Sequence, residues 1–185
     1  MVAAAEFNEV FDEVVSVALV EMGALQRGRR LLYSDELLSI ALLRVEHRWI
    51  PPAVLQLAVR HRALRTMDDE VPTEPPTNPQ EYPIRVRPSQ VTALLSDRWQ
   101  YQPVVGQRGP TDSIAYPTMT VDECRAALTP IGAVLARTLP ELSQHLSAER
   151  TLDSMEEYGS NTWIEQRWIA DLQTSQELGT HSHDS

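Results

Sequence analysis

Apolar residues recur every three or four positions along several stretches of this chain, and proline-rich breaks hold those stretches apart. From Phe7 to Leu25 the series Phe7, Val10, Phe11, Val14, Val17, Ala18, Met22 and Leu25 draws one face of an amphipathic helix. Gly23 and Gly28 weaken its end, where Arg27, Arg29 and Arg30 supply the cations that a helix C-terminus favours. Ser34, followed by Asp35 and Glu36, reads as the N-cap of a second helix with the buried stripe Leu37, Leu38, Ala41, Leu42 and Val45. Pro51 and Pro52 end it after Trp49, because the residue before a proline avoids the α region. A short third helix is expected from Pro52 to Arg65, carrying Val54, Leu57, Ala58 and Leu64.

The chain then changes character. Asp68 to Pro88 holds Pro72, Pro75, Pro76, Pro79, Pro83 and Pro88, too many for a helix or a central strand, and reads as an extended acidic connector. Within it, Ile84-Arg85-Val86-Arg87 alternates apolar and basic residues, as a short strand or a ligand-facing strip would. Helix resumes at Ser89, with Val91, Leu94, Leu95 and Trp99 facing inward, and gives way to a loop from Gln102 to Thr118. Thr120 and Glu123 form a capping box for a helix carrying Val121, Cys124, Leu128, Ile131 and Leu135, kinked at Pro130. Leu139, Leu142, Leu146 and Leu152 extend the apolar pattern to Met155, with Pro140 dividing it. Trp163, Ile164 and Trp168 precede a polar tail. The predicted fold is therefore all-α: a four-helix bundle over residues 1–163, with a connector at 68–88, a loop at 102–118 and a C-terminal surface tail at 164–185.

Chemistry narrows the picture mainly by exclusion. The sequence carries no phosphate-binding glycine loop, dinucleotide fingerprint or nucleophile elbow. Its one cysteine, Cys124, lies on an apolar helix face, where a buried inert thiol is the simpler reading. The five histidines do not pair at metal-ligand spacing. Acidic runs such as Asp68-Asp69-Glu70 and Glu156-Glu157 read as solvated faces. A non-enzymatic role is expected, with no cofactor. No apolar run is long enough to span a bilayer and no secretory signal opens the chain, so no membrane partner is expected.

Net charge is −10, which argues against coating nucleic acid through bulk positive charge. Yet all 16 basic residues are arginine. Genomic base composition accounts for that simply; the sharper reading is that guanidinium forks suit intersubunit carboxylates and phosphates. The four tryptophans sit at element ends, as core caps or as an intersubunit contact.

Three stretches carry a likeness to a known family. Arg44-Val-Glu46-His-Arg48-Trp49-Ile-Pro51 ends a predicted helix in a tryptophan and a proline turn. Val91-Thr92-Ala93-Leu94-Leu95 opens another. Ser154-Met155-Glu156-Glu157-Tyr158-Gly159-Ser160-Asn161-Thr162-Trp163 closes the bundle. In this order the chain resembles the coat proteins of rod-shaped helical plant RNA viruses, the tobamovirus-like family. It departs from them in having Met155 for a phenylalanine, Thr118 and Met119 for paired arginines, and a longer connector.

The resemblance implies a capsid subunit that polymerises helically around single-stranded RNA without sequence specificity, in virions and in host cytoplasm during assembly. It places Arg98 and Arg108 toward RNA, with Arg125, Arg85 and Arg87 as weaker candidates and Asp122 accepting from a ribose hydroxyl. It also implies facing intersubunit carboxylates, for which Glu46, Asp97, Asp112 and Glu123 are the candidates, with calcium as a cation that could sit between subunits. Alternatives are a helical adaptor that dimerises through its tryptophan-bearing end, and an acidic mimic of nucleic acid that inhibits a nucleic-acid-binding protein.

Overall fold

The predicted second and third helices are two long β-strands, and they overturn the all-α bundle. The structure, a computed structural model, describes residues 1–46, 53–103, 109–159 and 162–181. Leu38–Glu46 (β3) and Ala53–His61 (β4) pair antiparallel, with Ile40 opposite Val59 and Leu42 opposite Leu57. Both faces of this ribbon are buried. Leu38, Ile40, Leu42, Leu55, Leu57 and Val59 enter one cluster, while Ala41, Leu43 and Ala58 enter another. A strand buried on both sides loses its polar alternation, and the resulting apolar run can be fitted equally well by helical spacing. The expected N-cap at Ser34 is a tight turn instead: Asp35 Oδ1 accepts from the Leu37 and Leu38 amides at 2.8 and 2.7 Å.

Leu25–Arg27 (β1) and Arg30–Ser34 (β2) extend the sheet on one side. Gly28, at φ +60°, makes the hairpin turn between them. Ile84–Val86 (β5) and Asp112–Ile114 (β6) share the opposite side of β4, β5 against residues 57–59 and β6 against residues 53–55. The result is a six-stranded antiparallel sheet, and the class is α+β.

Helices cover one face. The N-terminal helix runs Ala4–Phe11 (α1), through a π-turn at Asp12–Ser16, to Val17–Val20 (α2). Phe7, Val10 and Phe11 are buried, as the spacing predicts; past the π-turn, which shifts the helical register, Val15 and Leu19 are buried instead, and the expected Val17 and Leu25 are exposed, Leu25 in β1. Val121–Thr138 (α3) packs alongside, with Cys124, Leu128, Ile131 and Leu135 buried and Pro130 within the helix. The Thr120–Glu123 capping box forms as expected. A Cβ on Gly132 would stand 2.3 Å from the Val14 carbonyl oxygen, so this glycine sets the approach of the two helices.

The proline-rich connector covers part of the other face. Tyr82 is fully buried beside Leu32, Ala41, Leu43 and Ala58, and its hydroxyl donates to the Pro76 carbonyl at 2.7 Å. Arg60 is fully buried there too. It donates to the carbonyls of Glu81, at 3.0 Å, and Leu64, while the Glu81 carboxylate lies 3.9 Å from its Nη1.

A second helical layer closes one end of the ribbon. Leu142–His145 (α4) is a single turn after Pro140. Ala148–Tyr158 (α5) and Trp163–His181 (α6) pack together, burying Leu152, Met155, Trp168 and Leu172 with Leu64 and Tyr101. Thus residues 164–181, where a surface tail is expected, belong to a helix with buried anchors. Arg65 pins α6 through Asp171, Nη2 to Oδ1 at 2.7 Å.

Candidate anion-binding cleft

Two-residue alternation in β5 determines where its charges go. Ile84 and Val86 belong to the helix-covered core, so Arg85 between them falls on the opposite face and Arg87 lies just past the strand end. Pro88 then starts a 3₁₀ segment that kinks at Gln90 and runs on to Leu95, held by Asp112, whose Oδ2 and Oδ1 accept from the Ser89 amide and hydroxyl at 2.7 and 2.8 Å. Val91 and Leu94 are buried by this helix, leaving Gln90 and Ala93 exposed. At Ser96 the chain turns, its hydroxyl accepting from the Arg98 amide and its carbonyl from the Trp99 amide. Arg85, Arg87 and Arg98 line one cleft of about 530 Å³, together with Trp99, Tyr101 and the glutamines Gln90, Gln100 and Gln102. Such a volume suits a small ligand or a segment of a larger one.

Tyr101 fixes one wall. Its amide donates to Ser154 Oγ at 2.6 Å, and its hydroxyl donates to the buried Glu165 carboxylate at 2.9 Å. Glu165 in turn caps α6, accepting from the Thr162 amide and hydroxyl at 3.0 Å. Burial and the neighbouring Glu165 push the Tyr101 phenol well above its ordinary value, so it stays protonated. On the opposite approach the backbone comes unusually near Arg85. A Cβ on Gly109 would stand 2.5 Å from Gln56 Nε2 and 3.2 Å from Arg85 Cβ.

Arg85 gives the cleft its character. It is only 9% exposed, and its Nη1 is sealed from solvent without an acceptor. Its Nε donates to the Tyr82 carbonyl at a long 3.4 Å. No described carboxylate lies within ion-pairing distance of it, and burial depresses its pKa, with Tyr101 opposing. A guanidinium nevertheless stays charged near neutrality. A buried charge without a counter-charge is costly. None of the described residues lining this cleft is acidic, so on a chain of net charge −10 the sign is locally reversed.

Across the Arg98-Trp99-Gln100 ridge lies a second groove of about 550 Å³ with Asp97, Glu149, Asp153 and Glu157 on its walls. Arg150 lines this groove, donates to the carbonyls of His145, at 2.7 Å, and Ser96, and sets its Cζ 5.9 Å from the Trp99 ring centroid.

Of the arginines named from sequence, Arg85, Arg87 and Arg98 therefore meet in one cleft. Arg125 does not join them: it sits on α3, paired with Glu13 at 2.7 Å. Asp122 is exposed in the first turn of the same helix. Arg108 lies outside the described residues. The four carboxylates are scattered. Asp112 caps the 3₁₀ helix and Glu123 its own helix, where hydrogen bonds from Thr120 hold its carboxyl below the usual range. Asp97 lines the acidic groove, and Glu46 ends β3.

Sequence reasoning passed over Tyr101, Glu165 and the glutamines. The signal was the alternation Trp99-Gln100-Tyr101-Gln102, aromatic and amide in strict turn, which marks an extended segment with two unlike faces. Among the described residues no cluster of three metal-ligating side chains occurs and no helix is long and apolar enough to cross a membrane. Comparison with protein-family models, curated proteins and solved structures returns no match, so the cleft is read from its own chemistry.

Proposed function

We propose that this chain is a binding module, not a catalyst, and that the Arg85–Arg87–Arg98 cleft recognises a phosphate-bearing ligand. One observation carries the reading. Three arginines line one recess whose described lining holds no acid, in a chain where acids outnumber bases 26 to 16. Guanidinium forks match phosphate oxygens in a bidentate fashion. Arg85 is held rigidly by its burial, while the exposed Arg87 and Arg98 are free to adapt. The glutamine amides offer donors and acceptors to the uncharged part of a ligand. The cleft's described lining has no histidine, cysteine or carboxylate, which favours binding over acid–base or nucleophilic chemistry.

Single-stranded RNA is one form such a ligand could take. The six-stranded sheet stands where a helical coat would have a four-helix bundle, so it is the chemistry of the cleft that supports RNA as a ligand. Anisotropy of a 3′-labelled, unstructured RNA 12-mer at 50 and 200 mM salt, with inorganic phosphate as competitor, tests it. Binding that weakens with salt and falls at least fivefold in the Arg87→Ala/Arg98→Ala variant supports the reading. Binding of neither RNA nor phosphate overturns it.

A further inference from the structure

The depth at which the three arginines sit separates two ways of meeting a phosphate. Arg87 and Arg98 are exposed, at the rim, whereas Arg85 is more than nine-tenths buried. A strand crossing the rim would present phosphodiesters to Arg87 and Arg98. Each internal diester has a sugar on both sides and carries one charge, so it is poorly shaped to descend toward Arg85. A terminal phosphate is different. It is bulky on one side only, bears close to two negative charges at neutral pH, and offers three free oxygens. On the reading that this cleft binds phosphate, we infer that its ligand is a nucleotide phosphomonoester, entering end-on with the phosphate toward Arg85.

Three features beyond the charge support the choice. Buried Arg85 lines the cleft and has no carboxylate neighbour among the described residues, so a dianion bound beside it supplies the counter-charge that the protein withholds. Trp99 stands in the wall shared with the acidic groove, where Arg150 is placed over its ring. A ring with a cation near it is a good stacking platform for a flat base, and stacking on aromatic side chains tolerates any base. The cleft volume accommodates a nucleotide but not a folded nucleic acid. The same terminal phosphate occurs on a free nucleotide and at the 5′ end of a strand, and the arms of the test tell these apart.

The test is a competition experiment on the unaltered chain, so no substitution can confuse misfolding with lost binding. A 3′-labelled RNA 12-mer is compared with and without a 5′-phosphate, and adenosine monophosphate and adenosine are added as competitors. At least tenfold tighter binding of the 5′-phosphorylated strand, with displacement by the monophosphate and not by adenosine, supports the inference. Displacement only by long strands would show that the free nucleotide is not the ligand, yet preference for the 5′-phosphate would still support end-on entry. Equal binding of the two strands overturns end-on recognition while leaving a phosphate-binding cleft in place. Binding of none of the probes overturns both. An Arg85→Lys variant that folds, as judged by its thermal transition, is expected to lose the preference for the 5′-phosphate while keeping the salt-dependent attraction of Arg87 and Arg98.

Discussion

The two faces of the sheet are built from the same strands and end up chemically unlike. The helix-covered face is mainly apolar in its interior, with Phe7, Leu19, Leu38, Leu57, Leu128 and Leu135 packed together. The connector-covered face buries Arg60, Gln56 and Arg85 beside a small cluster of Leu32, Ala41, Leu43, Ala58 and Tyr82. Regular helices satisfy their own backbone and can therefore offer a continuous apolar stripe. A proline-rich connector cannot, because its carbonyls remain free. Arg60 answers this need by donating to the carbonyls of Glu81 and Leu64. One guanidinium does for the connector what a helix does for itself. Arg85 occupies the same face one strand over without an equivalent set of acceptors, and there the face opens into the cleft. The lesson is that a buried arginine can serve structure when the protein surrounds it with acceptors, and serve binding when it does not.

Substitutions on the two faces sharpen this contrast. Arg60→Ala leaves the Glu81 and Leu64 carbonyls without their donor and the Glu81 carboxylate with the Met67 amide but no cation, and is expected to cost roughly 3–5 kcal/mol in a urea titration, loosening residues 64–82 first by hydrogen exchange. On the other face Leu128→Ala leaves a cavity between α3 and the sheet and should cost about 2–5 kcal/mol, with a uniform loss of protection. If the two variants give the same exchange pattern, the faces are not energetically distinct.

Acid should act chiefly at the end of the ribbon. His61 is buried with Nε2 2.9 Å from Thr151 Oγ1, and burial lowers its pKa to about 4, with Asp35 opposing. An unfolded histidine takes up its proton near pH ~6.5, so below that value the unfolded state gains protons that the folded state refuses. Stability should fall as pH drops through this window, by up to ~1.4 kcal/mol per unit, and the fall should level off below about 4. A His61→Gln variant should show a flatter profile between pH ~6.5 and ~5, above the range where ordinary carboxylates titrate.

Gly132→Ala tests the helix approach on the apolar face; its Cβ meets the Val14 carbonyl at 2.3 Å, and a loss of about 1–3 kcal/mol is expected. Smallest of all, Arg87→Ala/Arg98→Ala should leave the thermal transition almost unmoved, within about 0.5 kcal/mol per site, while weakening phosphate binding. A large loss of stability in that variant would place the rim arginines with Arg60 as structural groups.

How much of this was legible in the sequence follows from which side chains alternate. The N-terminal helix and α3 were readable because each has one buried and one wet face, so Phe7-Val10-Phe11 and Cys124-Leu128-Ile131-Leu135 repeat at helical spacing without ambiguity. The β5 strip was readable for the complementary reason: Ile84 and Val86 alternate with arginines. Strands β3 and β4 were not, since Leu38–Val45 has apolar residues on both faces and Ser34-Asp35-Glu36 serves a turn as readily as a cap. Mistaking those strands for helices also gave the likeness to a helical coat its fold. The long α6 was missed because its anchors, Trp168 and Leu172, are sparse among polar residues. At the site, the Arg85/Arg87 strip and Arg98 are legible as candidate phosphate contacts, and only the sheet and the turn at Ser96 bring them into one cleft. Glu165 could not be placed, because its partner Tyr101 lies 64 residues away.

The central claim is that the basic cleft, and not the rest of the surface, is where this protein meets phosphate. A ¹H–¹⁵N NMR titration with adenosine monophosphate tests it most directly. The account predicts shifts confined to residues 84–102 and 109–110, including the side-chain amides of Gln90, Gln100 and Gln102 and the Arg85 Nε. Shifts centred on Arg125 and α3, or none at saturating ligand, would contradict it.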